Sequence, residues 1–230
     1  MKDLQKIGGM AALAAAATYV FAIALVATAL RPMADPDLAF GDFMVFLAAN
    51  ETLVFVWHSV MYLINGVCLI VLALALRDRL AAGSPILSRV AAAFGCGWAL
   101  LVILSGLVTN HGLGALVALY GEDPLRAESL KDALDAMTLG IDSSDRFLGA
   151  LWIAAASAAS GRGALPKPIR VFGLAIGAAG AIGTAVPALS AIAYAFGVGA
   201  ILWWSGVGAA LLCGAGRYAA DACGAGSDGV

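Results

Sequence analysis

Charge is what this 230-residue chain has least of. Asp, Glu, Lys and Arg make up only 12% of it, about half the share of an ordinary soluble domain. A formal net charge of −2 and a pI near 5.6 leave no basic footprint for nucleic acid, so no such partner is expected. Cysteine is scarce too. Cys68, Cys96, Cys213 and Cys223 are dispersed and form no CxxC pair, which argues against a disulfide framework or redox relay. They read as small packing residues. The chain has two histidines, His58 and His111, and no HExxH, HxxxH or multi-histidine motif. G-x-S-x-G, Walker and Rossmann glycine patterns are missing as well. Common hydrolytic and nucleotide-dependent chemistries therefore have no footing, and a non-enzymatic role is expected.

What fills the chain instead is apolar: 62% of it is hydrophobic, and uncharged runs of 20 or more residues recur along its length. This predicts an all-α polytopic membrane protein, a bundle of six transmembrane helices with the lipid bilayer as its partner. The spans fall near residues 8–30, 53–76, 88–110, 142–160, 169–188 and 192–214, within a membrane domain of residues 1–216. Residues 217–230 read as a small, polar, disordered cytoplasmic tail. The segment Ile7 to Leu30 resembles a secretory signal, but its apolar stretch exceeds the usual 7–15 residues of one and predicts a membrane helix. The uncharged run from Val171 to Gly216 would make a helix of ~69 Å, too long for a ~30 Å hydrocarbon core. It must fold back, and Pro187 to Ser190 is the expected turn.

Basic residues set the direction. An inside N-terminus places Lys2, Lys6, Arg77, Arg79, Arg89, Arg162, Lys167, Arg170 and Arg217 on the inner side. Arg31, Arg126, Lys131 and Arg146 fall outside. Nine against four is a positive-inside bias, so both termini are expected in the cytoplasm and the protein in a bacterial inner membrane.

Two outer segments, residues 37–50 and 127–137, mix apolar and acidic residues at helical spacing and predict short helices at the outer interface. Between them lies Thr109-Asn110-His111-Gly112-Leu113-Gly114, polar and glycine-bearing inside an apolar run from Ala91 to Tyr120. One helix over that run would be ~45 Å long, and two glycines disfavour a helix interior. A break just after His111 is therefore expected. Glycines at spacing four, Gly173 and Gly177 above all, predict close helix packing. That packing is expected within the chain, with a homodimer or another membrane subunit as the alternative user of the small-residue faces.

The second span carries Glu51, His58, Tyr62, Asn65 and Cys68 at spacings 7, 4, 3 and 3, which puts all five on one side of a helix. Polar groups at that depth are costly unless partnered, so the stripe is expected to face the bundle interior. The fourth span must draw in Asp142, Asp145 and Arg146 to reach bridging length, with Asp142 and Arg146 able to pair at i,i+4. Asn110 and His111 then share the outer level with His58, Glu51, Asp142 and Asp145.

Three uses of this cluster compete. It lines a pocket that binds or passes a small ligand, with His58 and His111 facing a common space, their rings ~6–12 Å apart if spans pack at 8–10 Å. It holds a transition metal or ligates a haem through His58 and His111. Or it is structural glue in an accessory or scaffold subunit. The pocket is the leading expectation.

The stretches "KIGGMAALAAAATYVFAIAL" and "LPKPIRVFGLAIGAAGAIG" (Leu165 to Gly183) carry a further resemblance. A lysine leading the first span, and Leu-Pro with a basic residue leading the fifth, resemble an uncharacterised family of bacterial six-helix integral membrane proteins, a domain of unknown function. The resemblance implies six spans and supplies no site residues.

Overall fold

The structure, a computed structural model, describes residues 2–161 and 163–224. These residues are helical almost throughout, and no strand occurs among them. The order is α1 (Lys2–Ala27), a 3₁₀ turn (Arg31–Ala34), α2 (Phe40–Ala49), α3 (Glu51–His58), a π-helix (Ser59–Ile64) and α4 (Asn65–Ala81). Then come α5 (Pro85–Tyr120), α6 (Pro124–Ala159), α7 (Lys167–Ala185), a second 3₁₀ turn (Pro187–Leu189) and α8 (Ser190–Gly224).

Among the described residues five helices are long and apolar enough to cross a membrane: Asp3–Ala27, Glu51–Ala81, Pro85–Tyr120, Lys167–Ala185 and Ala195–Gly214. Each carries one of the expected spans. The remaining expected span, residues 142–160, is the C-terminal part of α6, where Asp142, Asp145 and Arg146 dilute the apolar window. The fold-back falls where proline forces it: Val186 is extended and Pro187–Leu189 form the turn.

Three expectations need correction. The third span does not break after His111, because α5 continues for 36 residues to Tyr120. In hydrocarbon a break strands backbone groups with no water to bond them, which outweighs ~1 kcal/mol of glycine propensity. Residues 127–137 do not form a separate interfacial helix either; they are the first part of the 36-residue α6. There Ser129, Thr138, Ser143 and Ser144 bond back to the carbonyls of Leu125, Leu134, Leu139 and Gly140, so their hydroxyls find partners within the helix. The tail is helical as far as Gly224, while residues 225–230 and the side chain of Cys223 lie outside the described residues. The helix expected within residues 37–50 is present as α2, Phe40–Ala49.

The chain divides into two compact units, with the divisions falling inside α1, α4, α5 and α6. One comprises the described residues of Met1–Ala16, Cys68–Trp98 and Arg146–Val230. Its core is aromatic. Trp98 packs at ring-centroid distances of 5.5 Å on Trp152 and 5.4 Å on Trp204, and Trp152 meets Trp203 at 5.6 Å. Gly173, Gly177, Gly180 and Gly183 form a buried stripe on α7. A Cβ on Gly177 would stand 2.8 Å from the Ala150 carbonyl oxygen, so glycine is what lets α7 lie directly on α6. This small-residue face is thus filled from within the chain.

The other unit comprises Ala17–Val67 and Ala99–Asp145. Leu30, Met44, Leu47, Val54, Leu116 and Ala127 form its buried apolar cluster, which fixes α2 against α3, α5 and α6. The indole N–H of Trp57 donates to the Ala22 carbonyl at 3.2 Å, and Gly66 admits the side chain of Ile103. This unit holds the polar residues singled out above.

Candidate functional site

The π-helix Ser59–Ile64 interrupts an otherwise regular apolar helix, with the buried His58 just before it and the buried Asn65 just after. Such single π turns recur at functional sites, because the i→i+5 ladder re-aims side chains within a continuous helix. His58 is 4% exposed and Asn65 fully enclosed.

Four side-chain hydrogen bonds hold this region. His58 Nδ1 lies 3.2 Å from Asn110 Oδ1, and Asn110 Nδ2 donates to Ser59 Oγ at 3.3 Å. With the amide so oriented, the imidazole N–H is the donor to Oδ1. Deeper along the same helix, Asn65 Nδ2 donates to Thr18 Oγ1 at 2.9 Å. On the facing side, Ser105 Oγ donates to Asp142 Oδ1 at 2.6 Å. The Tyr62 hydroxyl adjoins Ser105 and lies in the field of Asp142 and Asp145. Asp142, Asp145 and Arg146 are all half-buried.

One turn above His58 a cavity of about 330 Å³ opens. It is lined by Leu47, Glu51, Thr52, Val54, Phe55, Asn110, Leu113 and Gly114. Asn110 therefore serves two masters: it forms part of the cavity wall and fixes the imidazole behind it. Glu51 lies exposed at the start of α3, so the stripe is polar from Glu51 to Asn65 but buried only from His58 onward.

The two glycines of "TNHGLG" have different reasons. Gly112 is buried, and a Cβ there would meet Leu134 of α6 at 2.7 Å. Gly114 lines the cavity, and a Cβ there would meet nothing within 4 Å. The first admits a neighbouring helix; the second leaves space unfilled.

His111 does not join the site. It is exposed, while its neighbour Asn110 turns toward His58. In an unbroken α5 consecutive residues point ~100° apart, so a helix that aims Asn110 at His58 aims His111 elsewhere. His111 is not among the residues that meet His58 or line the cavity beside Asn110. Among the described residues no group of three His, Cys, Asp or Glu is placed to hold a metal ion.

No family model, no curated protein and no solved structure matches the chain. Its likeness to a six-helix membrane family rests on the two quoted stretches alone.

Sequence inspection missed Ser59, Ser105 and Thr18. Helix neighbours such as His58 and Ser59 do not face each other, so spacing alone does not bring Ser59 to the site. A carboxamide has an acceptor and a donor side by side, and Asn110 spans both His58 and Ser59. Also missed was a groove of about 530 Å³ between the first 3₁₀ turn, α2 and α6. Asp35, Phe40, Phe43, Glu128, Lys131, Asp132 and Asp135 line it. The i, i+3, i+4, i+7 spacing of the four α6 residues was the available signal. Lys131 bridges Asp135 at 2.6 Å and lies 5.1 Å above the Phe43 ring.

Proposed function

We propose that this chain is a six-span, non-enzymatic protein of a bacterial inner membrane that binds or passes a small ligand through the cavity beside Asn110. The observation that carries it is Asn110 itself, one amide shared between an open cavity and a buried imidazole. Structural glue needs no adjoining void, and a void needs no link to an ionisable group. The cavity is at the lower end of the range for small-molecule sites, which limits the ligand to a compact molecule. Ionisable groups within spans mark binding and transport pathways by default.

The fourth span, which completes the six, is the C-terminal part of α6. Residues 147–159 are apolar, and the Ser105 contact gives Asp142 a partner at the level where that span begins. The positive-inside bias supports cytoplasmic termini, so the cavity faces the outer side.

The test is a small-molecule screen by thermal stabilisation of the purified protein in lipid nanodiscs, repeated on Gly114→Leu. Hits lost in that variant support a binding cavity. If every stabilising compound acts equally on both proteins, the accessory or scaffold role is the better account.

A further inference from the structure

We infer that the ligand of the Asn110 cavity is a small amphipathic organic cation, an alkylammonium with a short apolar body. The inference rests on the binding role just proposed and names its chemical class.

The cavity wall is divided in character. Leu47, Val54, Phe55 and Leu113 offer hydrocarbon, and Glu51 is the one ionisable residue among the lining residues. That carboxylate is exposed and has no basic partner among the described residues. A helix N-terminus favours an acidic residue, which accounts for Glu51 on α3 without a ligand. It does not account for the rest of the wall, which holds no Lys, Arg or His. A carboxylic acid or phosphate entering here finds no cation and one fixed negative charge. An ammonium finds the Glu51 carboxylate, with Asn110 Oδ1 as a second acceptor.

The surroundings act in the same sense. The unit containing the cavity (Ala17–Val67 and Ala99–Asp145) holds eleven Asp and Glu residues against Arg31, Arg126 and Lys131 alone. A formal charge of −8 on one unit of a chain whose net charge is −2 concentrates cations around its openings. The neighbouring groove shows what such a surface does with an ammonium: its own Lys131 rests on Phe43 and pairs with Asp135. Among the residues that line the Asn110 cavity none fills that role. Gly114 completes the argument, since a helix position with nothing within 4 Å keeps the apolar end of the space open.

The probes are hexylamine, hexanol and sodium hexanoate, which share a chain and differ in head-group charge. Binding is measured by calorimetry at pH 7 on the full chain in neutral-lipid nanodiscs. The proteins are wild type, Glu51→Gln, Gly114→Leu and the groove variant Glu128→Gln/Asp132→Asn. Saturable hexylamine binding to wild type is expected. It should be at least about tenfold weaker in Glu51→Gln, where it falls to the level of hexanol. It should vanish in Gly114→Leu and be unchanged in the groove variant. Hexanoate should not bind. Equal binding of amine and alcohol, both lost in Gly114→Leu, overturns the cation and leaves the cavity standing. Loss in the groove variant but not in Glu51→Gln overturns it in favour of the other groove. If Gly114→Leu changes nothing for any probe, the cavity itself is not a binding site, and the inference falls with it.

Discussion

His58 Nδ1 and Asn110 Oδ1 stand 3.2 Å apart, joining the end of α3 to α5 beside the cavity that Asn110 lines. Asn110→Leu removes both partners of the amide at once, leaving the imidazole and the Ser59 hydroxyl unsatisfied. A loss of ~1–3 kcal/mol is expected. Reversible denaturant unfolding in mixed micelles measures it, and Asn110→Gln should recover less than half, since its longer arm misplaces the amide.

Gly112 and Gly114 should respond in opposite ways to the same substitution. Gly112→Leu drives side-chain atoms into Leu134 and should destabilise by ~1–3 kcal/mol. Gly114→Ala enters open space and should be neutral or stabilising by up to ~1 kcal/mol. Thermal melts of the two purified variants against wild type make the comparison. Equal destabilisation of both would contradict the separate roles assigned to them.

The Asn65–Thr18 bond is enclosed on all sides, yet its coupling should be modest. Interhelical hydrogen bonds in lipid average ~0.6 kcal/mol, because the separated helices find other partners. A double-mutant cycle with Asn65→Leu and Thr18→Val should return ~0.5–1.7 kcal/mol. A value near zero would show the contact to be dispensable.

Ser105→Ala deprives Asp142 of its 2.6 Å donor. A hydrogen bond to a charged group contributes ~1.5–3 kcal/mol, so this variant should be destabilised more than Ser143→Ala, whose hydroxyl only bonds back along its own helix. Urea titration of the two side by side decides it.

Orientation is open to direct measurement. In a cysteine-free background, Glu122→Cys should react with a membrane-impermeant maleimide in intact cells, and Ser84→Cys only after lysis. The reverse pattern would place the cavity on the cytoplasmic side.

Hydropathy alone determined the helices, because a chain with 12% charge and repeated apolar runs must satisfy its backbone internally. It also marked Pro187 as the turn and Asn65 as a residue that must find a partner, since both follow from local chemistry. The tertiary structure decided what periodicity does not encode. Gly112 within "TNHGLG" is explained by Leu134, a residue distant in sequence that fills the face Gly112 leaves bare. Once α5 ran through, the 100° step between neighbours decided between Asn110 and His111 as the partner of His58. The π turn after His58 left no trace in the 3.6-residue pattern. Composition says how many polar groups the membrane must hide; only packing says which of them meet.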